Sequence, residues 1–217
     1  MVLLVVCFVS LIWGRGEVVD AELAELYGGC WARLRGAADV GAGGGWRIPV
    51  LSTLRGGLPR QRSIVLRRVE PTSGMLWFHT DVRSGKVADI GHCPQVSLLF
   101  YDAATETQLA VGGKARVLTE GPGVDWLWEQ SACSSLRMYL APGAPGTVCD
   151  PGDCNLPEAV RGRVPDRDEL SLGRMNFAGV SVVVERMEWL QLSRDGNRRA
   201  VYECSVDRAV TGRWVLP

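Results

Sequence analysis

Residues 62–80, RSIVLRRVEPTSGMLWFHT, decide the fold. Arg62–Val69 and Met75–Thr80 are rich in branched and aromatic side chains, which suit a pleated, half-buried surface. Between them Pro71-Thr72-Ser73-Gly74 has turn chemistry, with Pro presetting one dihedral and Gly free to take a positive φ. The two runs are therefore expected to form a β-hairpin. The same pattern recurs downstream in Val96–Tyr101 (VSLLFY) and Thr107–Leu118 (TQLAVGGKARVL). Gly112-Gly113 inside the second of these implies a bulge or sharp bend. A helix is expected over Gly123–Leu140, then a Pro/Gly-rich excursion to about Pro165, and then strands at Asn176–Val184, Arg186–Leu192 and Arg199–Cys204. Strands, a helical insertion and closing strands predict a small antiparallel barrel.

Upstream, Leu23, Leu26, Tyr27, Cys30 and Leu34 are spaced as one face of a helix over Asp20–Ala38, with Asp20 and Glu22 where the helix dipole favours acid. Gly28-Gly29 weakens that helix. Val40–Trp46 (VGAGGGW) carries part of a dinucleotide fingerprint, but Trp46-Arg47-Ile48-Pro49 does not open a helix, so the stretch reads as a loop. Met1–Trp13 is almost wholly apolar and too short for a span of roughly 20 residues. Its first basic residue, Arg15, follows the apolar run, unlike a secretory signal. The preferred reading of residues 1–16 is an upstream extension from a misplaced start; an atypical signal and a buried strand are the alternatives. Residues 17–217 are expected to be one domain with an insertion at about 121–170.

The chain has 24 basic and 24 acidic side chains among 217 residues, so its formal net charge is zero. That argues against nucleic acid as the main partner, and no stretch suggests a membrane partner. With 47% apolar and 22% charged residues the composition is that of a globular protein able to bury a core without staples. Seven cysteines, an odd number without a C-x-x-C pair, fit neither a disulfide framework nor a zinc site, and suggest a reducing, cytoplasmic location. Cys149 and Cys154 flank Asp-Pro-Gly-Asp; a bridge or a metal there is set below a loop that happens to carry two thiols. No metal is expected.

Phe78–Lys86 (FHTDVRSGK) carries the most chemistry. It places Thr80, Arg83, Ser84 and Lys86 at a strand end and helix start, where free N–H groups, a capping Ser84 and two cations favour a phosphate. Arg62, opening the partner strand, can reach the same end. Solvated strand-end cations are the plain alternative. His79 is expected to fill a polar pocket near this site and His92 to sit exposed in a turn. No catalytic residue is assigned, and without a G-x-S-x-G elbow hydrolase chemistry is unsupported. Trp126 and Trp128 are read as core before cleft lining.

Four segments in register carry a resemblance: Arg62-Ser63-Ile64-Val65-Leu66-Arg67, Phe78–Lys86, Cys93–Phe100, and Gln108 ahead of Gly113-Lys114-Ala115. Together they resemble the pyridoxamine 5′-phosphate oxidase family of FMN-binding split barrels, over most of residues 47–204. The subgroup most resembled is the oxidase-related FMN-binding proteins, which share a run like Pro142-Gly143-Ala144-Pro145-Gly146. The resemblance implies a β-rich α+β fold: a six- to eight-stranded antiparallel split β-barrel with flanking helices, binding FMN at a homodimer interface. Arg62, Lys86 and Ser84 would hold the phosphate, with Arg83 as a further cation and Thr80 near the phosphate or ribityl chain. Ser63, Ile64 and Val65 would lie beside the ring, Arg67 stands where the family usually has Lys, and Gln108 would reach the ring from the second subunit.

The departures also matter. Gly85 replaces a second Arg, His79 replaces a common Tyr, and Arg198-Arg199-Ala200-Val201-Tyr202 replaces the Arg-x-His-Asp-Arg run that binds the oxidases' substrate and flavin. The expectation is an FMN-dependent oxidoreductase taking a hydride from a small-molecule substrate, with Arg137 and Arg198 as substrate-anion candidates. A flavin-binding module without turnover, and a split barrel holding another planar cofactor such as deazaflavin or haem, are the alternatives.

Overall fold

A computed structural model describes residues 20–39, 45–205 and 207–217. The readings of Met1–Trp13 and of most of the glycine loop after Asp39 lie outside the described residues.

Helix α1 (Ala21–Ala38) begins where its sequence pattern predicts. The Asp20 carboxylate caps it by accepting the Glu22 N–H at 3.0 Å. Leu23, Tyr27, Cys30, Trp31 and Leu34 are buried on one face, while Gly28 and Gly29 fall on the exposed face, where their missing side chains remove no packing.

Among the described residues nine strands make one sheet with antiparallel pairings throughout. They are β1 (Val50–Arg55), β2 (Leu58–Ser63), β3 (Arg68–Glu70), β4 (Met75–Asp81), β5 (Gln95–Asp102), β6 (Thr107–Leu118), β7 (Phe177–Gln191), β8 (Arg198–Cys204) and β9 (Val210–Val215). The order is β2-β1-β5-β6-β7-β4-β3, with β8 on β7 and β9 on β8. β7 joins the two runs expected separately. One edge pairs with β6 along its length; the other pairs with β4 over Phe177–Val183 and with β8 over Arg186–Gln191. The sheet thus splits along β7 and, contrary to the expected barrel closure, is not closed among the described residues.

The expected bend falls at Gly112/Gly113, where the β6–β7 register shifts. A Cβ on Gly113 would overlap the Val183 carbonyl, so this position needs glycine for close backbone approach.

The Pro71–Gly74 hairpin forms but is short, pairing Arg68–Glu70 with Met75–Trp77. Arg62–Val69 is not one strand, because the chain changes partners within it. Arg62 and Ser63 pair with β1; then Ile64 N–H donates to the Pro49 carbonyl, Leu66 N–H to that of Arg47, and Arg67 N–H to that of Trp77. The expected helix over Gly123–Leu140 is likewise broken, into α3 (Pro122–Gln130), α4 (Cys133–Leu136) and a 3₁₀ turn Arg137–Leu140. Ser131 ends the first piece by donating its hydroxyl to the Leu127 carbonyl. Helix α2 (Gly85–His92) follows β4, and α5 (Arg167–Ser171) precedes β7.

Two apolar clusters result. The larger packs α1 against one face of the sheet around Leu34, Phe78, Phe100, Leu109 and Tyr202. The smaller packs the insertion on the other face around Trp77, Leu127, Tyr139 and Phe177. β4 is buried from both sides, and its odd positions, Trp77 and His79, face the insertion. Each fully buried large side chain stabilises the fold by about 1.5–3 kcal/mol.

Gly113→Ala should lower stability by about 2–3 kcal/mol through forced backbone displacement. Urea unfolding reads this directly, and an unchanged midpoint would contradict the close approach.

Candidate functional site

The cations at positions 62 and 86 come together. Lys86 Nζ, on the first turn of α2, donates to Thr80 Oγ1 at 2.8 Å and Ser84 Oγ at 3.2 Å, and the two hydroxyls lie 3.3 Å apart. Ser84 is the N-cap residue, but its side chain makes no capping bond; it faces Lys86 instead. Burial, and then the charge of neighbouring Arg62, holds the Lys86 ammonium below its ordinary pKa.

Arg62 is positioned from behind. Its Nη1 donates to Thr53 Oγ1 at 2.6 Å, and its Nη2 is 3.5 Å from Asp89 Oδ2. Asp89 is buried on α2 and serves as the hub. Thr53 donates to it at 2.8 Å and Arg55 Nε at 2.6 Å. Burial alone would raise its pKa, but these hydrogen bonds outweigh that and hold the carboxyl below its usual range. Asp89 therefore stays charged and anchors two guanidinium groups at the sheet end.

Gly85 stands where the resemblance implies an arginine. A Cβ at that position would collide with the Arg55 guanidinium, so Arg55 occupies the space from a neighbouring strand. The R-G-G-L run after Leu54 gave no indication of this role.

Lys86 opens on a cavity of about 390 Å³ lined by Val65, Arg67, His79, Thr80, Tyr139 and Asn155, among others. This volume lies within the range of small-molecule sites. His79 Nδ1 is 2.5 Å from the Tyr139 hydroxyl, and both rings pack on Phe177 at centroid distances of 5.1 and 4.9 Å. Burial, reinforced by the Arg67 charge, lowers the His79 pKa to about 3, so the imidazole is neutral at pH 7. Its Nε2 is buried and has no partner among the described residues; the same holds for Arg67 Nε. Among the described residues the Arg67 guanidinium otherwise donates only to Ser135 Oγ, at 3.3 Å.

Other expected residues lie elsewhere. Ile64 turns into the core while Val65 lines the cavity, and Ser63 ends β2 on the exposed side. Gln108 pairs with Tyr101 and Leu190 and does not line the cavity. Arg83 is bound to Asp81 at 2.7 Å and donates to the Ala141 and Pro142 carbonyls, fastening the insertion to the strand end. Arg137 donates to the Arg163 carbonyl at 2.7 Å, away from the cavity. Arg198 pairs with Glu22 at 2.6 Å and stacks on Trp214. Neither Arg137 nor Arg198 faces the site. Trp128 packs on Phe177, and His92 is exposed. Tyr139, Asn155 and Asp89 were not anticipated; nothing in their local sequence marks them, because the fold alone brings them here.

Residues 45–119 match the profile described as "Pyridoxamine 5'-phosphate oxidase, FMN-binding domain". This segment is a pyridoxamine 5′-phosphate oxidase-type FMN-binding domain. It contains Arg62, Lys86 and Asp89, and the partner-switching segment. "Pyridoxine/pyridoxamine 5'-phosphate oxidase 2" of Arabidopsis thaliana is 28% identical over 101 residues, covering 43% of this chain and 50% of that protein. The chain therefore spans about half the length of this curated relative. A pyridoxamine 5′-phosphate oxidase-related, FMN binding protein of Nostoc punctiforme PCC 73102 superposes with a TM-score of 0.65 at 18% identity, covering 93% of this chain and 100% of its own. PhzG of Burkholderia lata 383, solved with tetrahydrophenazine-1-carboxylic acid, superposes with a TM-score of 0.62 at 19% identity, covering 94% and 100%. These two share the fold.

The depressed His79 pKa has a testable sign. The unfolded chain takes up a proton near pH 6.5 and the folded chain only near 3, so the stability due to neutral His79 is present above 6.5 and lost as pH falls towards 3. Wild-type unfolding free energy should thus fall more steeply than that of His79→Gln between pH 6.5 and 4. Parallel pH profiles in chemical denaturation would contradict the buried, neutral imidazole.

Proposed function

We propose that the chain binds FMN in the cavity beside Lys86, as a homodimer with the cofactor at the subunit interface, and works as an FMN-dependent oxidoreductase on a small-molecule substrate. The observation that carries this reading is the proximity of Arg62 to Lys86, which opens on a cavity that Arg67 and His79 also line. The donor set suits a phosphorylated, flat, partly polar ligand. FMN, when bound, supplies the hydride-accepting chemistry.

The chain's own residues bind and orient. Arg62 and Lys86 hold the phosphate, and the Ser84 and Thr80 hydroxyls share it. Val65, Met138 and Pro145 give the apolar wall a ring needs. Tyr139 fixes the His79 ring, so the neutral imidazole forms an ordered part of the cavity wall. Gln108 lies at the far end of the β5–β6 hairpin, which accords with its acting from a second subunit. Leu99 and Tyr101 are exposed on the same hairpin, as a covered subunit surface requires. The reading includes a cytoplasmic location and neither nucleic acid nor membrane as a partner. No described helix is long and apolar enough to cross a membrane.

One observation favours a second reading, a flavin binder without pyridoxamine-phosphate turnover. In place of the oxidases' substrate run, Ala200 and Tyr202 are fully buried, Tyr202 donates to the Leu23 carbonyl, and Arg199 pairs with Glu188. That stretch is committed to packing.

Purified protein should carry or take up FMN with flavin absorbance, and a colourless protein that cannot be reconstituted would overturn both readings. Arg62→Ala should weaken FMN by about 1.5 kcal/mol or more, roughly tenfold. Asp89 keeps Arg55 and Thr53 as partners, so the fold should survive that change. Flavin reduction by pyridoxamine phosphate or reduced nicotinamide separates an enzyme from a binder.

A further inference from the structure

Arg67 lines a second cavity as well, of about 790 Å³, on its other side. The walls come from the end of α1, from Arg47, from β3 and its turn, from α3 and from Arg208. Five arginines, at 35, 47, 67, 68 and 208, face two carboxylates, Asp39 and Glu70. Glu70 is already taken by Arg68 at 2.8 Å and by the Ser73 hydroxyl at 2.7 Å. Among the described residues the Arg47 guanidinium donates only to the Ala37 and Asp39 carbonyls, and the Arg208 guanidinium only to the Thr72 carbonyl. Arg35 is exposed on α1 and faces the same cleft.

With Glu70 engaged, Asp39 is the one lining carboxylate left to face the other arginines, and cations in such excess repel one another unless something anionic compensates. Burial and the charge of Arg47 both weigh against the Arg67 guanidinium, and its Nε has no partner. Trp126, partly exposed with the Arg68 guanidinium 4.8 Å above its ring, offers a flat edge to the cleft. A concave site with an excess of guanidinium forks suits phosphoryl groups, which accept bidentate hydrogen bonds.

We propose that this cleft is a second ligand site, separate from the flavin cavity, for a small molecule bearing two or more phosphate charges, gripped by Arg35, Arg47 and Arg208. A free polyphosphate and a nucleoside diphosphate share this chemistry. They differ in whether a ring is available to Trp126.

Titration calorimetry on the full-length chain with saturating FMN, using pyrophosphate in one arm and ADP in the other, tests the site. Saturable binding that weakens steeply with added salt is expected. Tighter ADP binding assigns the nucleotide, and equal or tighter pyrophosphate binding assigns the free anion. Arg35→Ala, on an exposed helical position, and Arg208→Gly, at φ +68° where glycine is unstrained, should each weaken binding about tenfold and leave the melting temperature unchanged. Arg62→Ala should leave it unaltered. No saturable binding in either arm, or binding that disappears with Arg62→Ala and survives both other variants, would overturn the proposal. The Arg62→Ala arm also separates failure of this site from failure of the flavin reading.

Discussion

Everything in this structure hangs from β7. It is hydrogen-bonded along both edges, and all six residues from Phe177 to Val182 are buried. A strand that shares one edge between two partners must pass the second edge from β4 to β8 partway along, and the bulge at Gly113 falls where that exchange occurs. The close approach this requires is met at one residue without a side chain. Both apolar clusters then take their positions from this strand, one from each face.

The geometry around Arg62 and Lys86 follows from a charge buried for a structural reason. Asp89 on α2 faces the end of β1, and its carboxylate is satisfied by Thr53 and Arg55 more closely than by Arg62. Arg62 is thus oriented without being spent, which is the condition for a cation to meet an incoming anion. Lys86 is held in the same manner by neutral hydroxyls. Arg83, by contrast, has a full carboxylate partner and two carbonyls, so its charge works on the architecture.

The sequence announced the elements whose cause is local. The spacing of α1, the alternation in β5 and β6, the bend at Gly112-Gly113 and the Pro71–Gly74 turn were all legible. β1 and β9 were not, since each is short and the Leu58–Ser63 partner of β1 is almost wholly exposed. A sign was present in Gly56-Gly57, both at positive φ, which closes that hairpin tightly. At the site, the pairing of Arg62 with Lys86 could be anticipated from the β4–α2 run. The misplacement of Arg137 and Arg198 could not, because their surroundings are set by an irregular insertion and by the docking of α1. The same reason hides Asp89, Tyr139 and Arg55, whose roles arise from contacts between distant segments.

Asn155 uses both ends of its side-chain amide to clasp Gly143, accepting the Gly143 N–H and donating to its carbonyl. The intervening stretch is thereby a closed lasso whose neck forms part of the cavity wall while its far side is exposed at Val148 and both cysteines. Beyond Pro145, residues can be added to or removed from that lasso without moving the wall. Its length and composition beyond that proline are accordingly free to drift as long as the knot at Asn155 is kept.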